Sequence, residues 1–194
     1  MNVLGIPALI NERSRFLDTI DGLTDTEFES GPTLCAGWSP RDVLAHLVNT
    51  EDVMAYVRGG LRINAVNNAS VVRARSLSRA DLTVKGRTWA AMPKPGDRIA
   101  ARFLIGDVCV HHQDVLRGLR RTADVSPIAA GAIFREGVIL STGTKRNLLR
   151  YRVEPTTVGG RPLGRGITVR GTSVAIGLWL AGRKGLEPEL EFGG

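Results

Sequence analysis

Ser39-Pro40-Arg41-Asp42, followed by Val43, Leu44, Leu47 and Val48, constrains this chain more than any other segment. Serine is a strong N-cap, proline suits the first helical position, and an acidic residue at N3 completes a capping box. A helix is therefore predicted from Pro40 to about Arg58, where Gly59-Gly60 stops it. The same logic repeats along the first two-thirds of the chain. Residues 7–22 set Leu9, Ile10, Phe16, Leu17 and Ile20 at three-and-four spacing, with Gly22 closing the segment. Thr24 and Glu27 have the capping-box spacing of a short helix. After a polar stretch from Arg62 to Ser78, read as partly loop, Ser78 caps a helix through Leu82, Trp89 and Met92, and Pro93 to Gly96 form a turn. A further helix from about Arg98 to Leu119 carries Phe103, Leu104, Val108, Val115 and Leu119. Four long helices with short joins predict an antiparallel four-helix bundle over residues 1–121.

Beyond Arg120 the texture changes. Pro127 to Leu140 is one more helical pattern. Leu149, Tyr151 and Val153 then alternate with Arg150 and Arg152, which predicts a strand with the two arginines on its other face. Gly164 to Gly171 reads as a second strand after a Gly-rich turn. Thr172 or Ser173 opens a helix that Gly185 closes, and the tail from Glu189 is expected to be loose. The fold class is thus mainly α, with a small α+β appendage over residues 122–194.

Composition narrows the function classes. The chain has 194 residues, 43% hydrophobic and 23% charged, as ordinary globular proteins do. No apolar run approaches the roughly 20 residues of a membrane span, and the N-terminus lacks the basic region and cleavage site of a signal peptide. Cys35 and Cys109, the two cysteines, are expected to be thiols in a reducing cytoplasm. The net charge of +7 is uneven: residues 1–60 hold four arginines against nine carboxylates, so the excess of base lies in the remainder. A basic half can attract nucleic acid or focus a small anion. With aromatics at 5% and no basic run interleaved with stacking rings, the small anion is the expected partner and nucleic acid is not.

Histidine is scarce, and all three copies fall on predicted helices: His46, His111 and His112. Asp107 precedes His111 by four residues, so the two share one helix face. In a bundle such a pair can meet His46 from a facing helix. The resulting three N/O ligands leave a fourth tetrahedral position open, as a catalytic zinc site requires. His112 points about 100° away. The plainer reading, helical histidines held by hydrogen bonds in the core or at the surface, stands beside it. Asp42 shares the four-residue spacing with His46 but is already employed at its helix N-terminus. Cys35 is read as apolar burial beside Trp38, and Cys109 as core. No G-x-S-x-G elbow or phosphate-binding loop is present, and no residue is assigned to nucleophilic or acid–base catalysis.

Three segments carry a resemblance. The run from Thr33 through Cys35, Gly37-Trp38-Ser39-Pro40-Arg41-Asp42 and His46-Leu47 resembles the N-terminal signature of the mycothiol-dependent maleylpyruvate isomerase family, within the DinB-like superfamily. Asp107 to Asp114, and Gly164 to Gly171 followed by Leu178 to Arg183, agree in order. The resemblance implies a DinB-like four-helix bundle, residues 1–121, followed by a small C-terminal α/β domain, residues 122–194. It also implies a divalent metal, zinc by preference, on His46, Asp107 and His111. Asp107 stands where the family pattern has glutamate, so its carboxylate reaches about 1.5 Å less far.

The implied activity is that of an actinobacterial, cytoplasmic enzyme using the thiol mycothiol as cosubstrate. A thiolate adds to an activated double bond; rotation and elimination then return the thiol and an isomerised product, whereas a transferase releases the adduct. A dianionic substrate would be oriented by arginines, for which Arg150 and Arg152 are the candidates, the alternative for both being an exposed strand face. The other function class consistent with these residues is a non-catalytic metal- or small-ligand-binding bundle. Thiol turnover separates the two.

Overall fold

Local capping explains most of the elements in the computed structural model, which describes residues 5–49, 71–94, 96–143, 145–157 and 160–193. They divide into two compact units. The first comprises the described residues of Met1–Arg98 and His111–Thr122, the second those of Ile99–Val110 and Ala123–Gly194.

In the first unit, α1 (Gly5–Asp21) buries Leu9, Phe16, Leu17 and Ile20 on one stripe. The Thr24–Glu27 capping box starts α2 (Asp25–Ser30) as expected. At α3 (Pro40–Asn49), the Ser39 N–H donates to Asp42 Oδ2 at 3.3 Å and the Asp42 N–H to Ser39 Oγ at 3.4 Å. Every residue from Pro40 to Val48 is buried, so α3 is enclosed on all sides rather than along one stripe. That enclosure is what withdraws His46 from water. The expected continuation of this helix to Arg58 lies outside the described residues. Ser78 caps α4 (Arg79–Ala91), its hydroxyl accepting from the Asp81 N–H, which packs against α1 and α3. Within the stretch expected to be partly loop, residues 71–74 are helical and 75–77 turn; residues 62–70 lie outside the described part.

The long helix α5 (Asp97–Gly118) runs through both units. Near its start a buried ion pair fixes it to α1. Arg13 is 1% exposed, and its Nη1 donates to Asp97 Oδ2 at 2.9 Å and to the Trp89 carbonyl at 3.0 Å. Burial lowers the Arg13 pKa, while the charge and hydrogen bond of Asp97 act in the opposite direction. At the other end Arg120 takes a left-handed φ of 55°, and the Arg121 N–H returns to the Leu116 carbonyl at 2.8 Å, a Schellman closure.

The second unit pairs α6 (Pro127–Ser141) with α7 (Ser173–Leu180), and all eight residues of α7 are buried. A Cβ at Gly137 would overlap the Gly177 carbonyl oxygen, and one at Gly177 would come within 2.6 Å of the Ile133 carbonyl oxygen. Glycine at both positions is what lets the two backbones touch. A four-stranded sheet of order β2-β1-β3-β4 accompanies them: β1 Tyr151–Pro155, β2 Leu163–Gly164, β3 Ile167–Gly171 and β4 Glu191–Phe192.

Four sequence expectations change here. The first strand starts at Tyr151, leaving Leu149 and Arg150 exposed in the preceding turn. The second strand expected from Gly164 to Gly171 is divided: β2 pairs antiparallel with β1, the link Arg165-Gly166 follows, and β3 pairs parallel with β1, Val153 opposite Val169. Helix α7 ends at Leu180, and Gly182 (φ 87°) rather than Gly185 closes it: its N–H donates to the Trp179 carbonyl and that of Arg183 to the Leu178 carbonyl. The tail is an edge strand, with Phe192 edge-on to Trp179 at 5.9 Å and the Gly193 N–H donating to the Thr168 carbonyl at 2.8 Å. Among the described residues no helix is long and apolar enough to cross a membrane.

Candidate metal centre

Between α2 and α3 the loop Thr33–Trp38 is tied down by its own hydroxyl. Thr33 Oγ1 lies 3.1 Å from the Cys35 carbonyl and 2.8 Å from the Trp38 carbonyl, and the Cys35 N–H donates to it at 3.1 Å. The Leu34 N–H donates to the Asp114 carbonyl at 3.0 Å. Close approach to α5 is possible because residue 118 is glycine: a Cβ there would overlap the Pro32 carbonyl oxygen and the Thr33 Cα. The loop thus delivers Cys35 and Trp38 to α5.

Three rings meet there. The His46 and His111 rings are 4.9 Å apart at 72°, and Trp38 lies 5.1 Å from His46 and 6.0 Å from His111, nearly parallel to the latter. His46 and His111 are 3% and 7% exposed. Asp107, half-buried, stands one turn before His111 on α5. His46 and His111 belong to the first unit, and Asp107 to the stretch of α5 counted with the second. Two imidazoles and one carboxylate are a donor set suited to zinc and leave coordination positions open.

Around His111 the structure adds residues that sequence reasoning passed over. Asp114 is fully buried, and its Oδ2 is 3.0 Å from His111 Nδ1. A carboxylate on one ring nitrogen fixes the imidazole and commonly leaves the other nitrogen to a metal. The Cys35 thiol donates to the same Oδ2 at 3.0 Å and lies 3.5 Å from His111 Nδ1. Cys35 therefore has polar partners, which corrects its reading as apolar burial. Its spacing of 79 residues from Asp114 left no local signal to find it by. On the solvent side an open groove of about 460 Å³ is lined by Glu29, Thr33, Cys35, Trp38, Ser39 and Asp42 among others.

His112 goes elsewhere. Its Nε2 lies 2.8 Å from Thr19 Oγ1, and its ring packs edge-on to Phe16 at 5.8 Å. Thr19 donates its own proton to the Arg15 carbonyl at 3.2 Å, so His112 must donate from Nε2 as a neutral ring. Burial, with a smaller contribution from nearby Arg15, pushes its pKa down to about 4. Cys109 is buried, 3% exposed. In the second unit Arg152 and Arg170 both donate through Nε to Glu154 at 2.9 Å, while the guanidinium of Arg150 lies over the Tyr151 ring at 5.7 Å. Arg150 therefore precedes the strand instead of sharing a face with Arg152.

Comparison with known proteins agrees with the architecture. The model of the mycothiol maleylpyruvate isomerase N-terminal domain matches residues 9–84. A crystal structure of the mycothiol-dependent maleylpyruvate isomerase superimposes with a TM-score of 0.67 at 12% identity, covering 97% of this chain and 91% of that one. A histidine-to-alanine mutant of that enzyme gives 0.68 at 11% identity with the same coverage. Identities this low speak for the fold alone. No curated protein sequence matches the chain. Residues 9–84 thus match the mycothiol maleylpyruvate isomerase N-terminal domain, and the fold resembles that of the mycothiol-dependent maleylpyruvate isomerase.

Proposed function

We propose that this chain is a metal- and thiol-dependent isomerase or S-transferase that uses mycothiol and acts on a small, electrophilic, anionic substrate in the manner of maleylpyruvate isomerisation. The observation that carries the reading is the pairing of the buried His46 and His111 rings 4.9 Å apart, with Asp107 one turn before His111 on the same helix, in a chain whose residues 9–84 match the N-terminal domain of that family. We further read residues 1–121 as a DinB-like four-helix bundle, residues 122–194 as a small C-terminal α/β domain, and the protein as cytoplasmic and actinobacterial.

His46, Asp107 and His111 are the residues that would hold the metal. The chemistry a divalent ion such as zinc supplies at such a donor set is a lowered thiol pKa, which keeps the nucleophilic thiolate at neutral pH. Asp114 holds the His111 ring in place through Nδ1. Trp38 covers both imidazoles and limits the entry of bulk water. For a dianionic substrate, Arg150 and Arg152 are the candidate carboxylate contacts, and Arg152 would have to release Glu154 in part.

Metal analysis of protein purified without a polyhistidine tag tests the reading directly. About one divalent ion per chain is expected, lost in large part from His46→Ala, together with turnover of maleylpyruvate or another small electrophile that requires both metal and mycothiol. Full metal occupancy in the double variant His46→Ala, His111→Ala would overturn the metal assignment. Metal binding without any thiol-dependent turnover would leave a metal-binding module.

A further inference from the structure

Cys35, His111 and Asp114 place a sulfur, a nitrogen and an oxygen around one point, all within the first unit. Their separations are 3.5 Å for Sγ to Nδ1, 3.0 Å for Sγ to Oδ2 and 3.0 Å for Nδ1 to Oδ2. A tetrahedral zinc with ordinary bond lengths needs about 3.6 Å between sulfur and nitrogen and about 3.4 Å between nitrogen and oxygen. Sulfur and oxygen need about 3.6 Å, so each pair is within about 0.6 Å of a ligated geometry. Closing on an ion asks for small shifts of side chains that the loop and helix already hold. The approach is open as well, because Cys35 is half-buried and lines the groove above α3.

From this juxtaposition we propose that Cys35, His111 and Asp114 form a second cation site, selective for thiophilic divalent ions, that shares His111 with the His46–Asp107–His111 set. Binding forms a metal–sulfur bond and releases the thiol proton to solvent, so the site takes the ion with Cys35 as thiolate. Thiolate in the donor set favours zinc, cadmium and cobalt over magnesium or calcium, which the all-oxygen sites of proteins prefer. In the metal-free protein the same three groups satisfy one another: the thiol and the imidazole both lie against a carboxylate that has no exposure to water. The site does not depend on the proposed enzyme activity, since neither His46 nor Asp107 belongs to it.

Cobalt(II) titrated into reduced, thiol-free protein tests the site by its colour. With cobalt in excess of one equivalent, so that the His46–His111 set is filled first, the wild type should gain a near-ultraviolet thiolate-to-cobalt charge-transfer band. Cys35→Ser should abolish it, and Cys109→Ser and His46→Ala should retain it. Bound cobalt without that band overturns the proposal and leaves the ion to His46, Asp107 and His111. A band lost from Cys109→Ser, or lost from His46→Ala, overturns it too. As a check free of substitutions at the site, alkylation of Cys35 in a Cys109→Ser background should slow about tenfold on adding several equivalents of zinc, because a metal-bound thiolate is a poorer nucleophile. An unchanged rate counts against the site. A band that persists in His46→Ala, in protein without thiol-dependent turnover, would support this site while the proposed enzymatic function fails.

Discussion

His111 Nδ1 and Asp114 Oδ2 are 3.0 Å apart on neighbouring turns of α5, and the carboxylate is fully buried. The pair is built within one helix by an i,i+3 spacing, so it does not depend on how loops settle. Asp114→Asn keeps the shape and removes the charge. It is expected to weaken zinc binding about 10- to 100-fold, the usual effect of losing a carboxylate behind a histidine ligand. Competition with a chromophoric chelator would measure this, and an unchanged affinity would show that Asp114 does not support the metal.

Asp107 stands one turn before His111 on α5, and its side chain is one methylene shorter than glutamate. Adding one methylene extends the reach of the carboxylate by about 1.5 Å. Asp107→Glu is therefore expected to bind zinc more tightly than the wild type, and Asp107→Ala more weakly. Loss of binding in Asp107→Glu would mean that the helices have already closed around aspartate.

His112 links stability to pH. Its folded pKa of about 4 lies below the ordinary 6.5, so the folded state holds the ring neutral where the unfolded chain would begin to protonate it. The associated stability is fully present above about pH 6.5 and is lost as pH falls towards 4. Its upper bound is about 3 kcal/mol, from a shift of roughly two and a half pKa units. Denaturant titrations of the metal-free protein between pH 7 and 4 should show this decline, and His112→Gln should flatten it. His112→Ala should leave metal content nearly unchanged.

Gly137→Ala tests the contact between α6 and α7. The added methyl has only the Gly177 backbone to meet, so the helices must separate. A loss of about 1–3 kcal/mol is expected for overpacking of this kind. Urea melts would record it as a lower midpoint, and a variant as stable as the wild type would show that the helices can part without loss.

Most of the helical framework was legible from the sequence because capping and periodicity are local. Ser39, Thr24 and Ser78 each act on a backbone N–H three residues away, and each starts its helix where the spacing put it. The Asp107–His111 face is equally local, being one turn of α5. Tertiary structure alone decided the rest. Cys35 reaches Asp114 across 79 residues, which depends on Gly118 admitting the loop and on Thr33 folding it. The parallel pairing of β1 with β3 and the recruitment of Glu191–Phe192 as an edge strand likewise follow from long-range hydrogen bonds. The sequence alone determined which side chains share a helix face, through a periodicity set by the backbone. Which faces meet is a matter of packing between distant segments, and only the folded chain brings His46, Cys35 and Trp38 to His111.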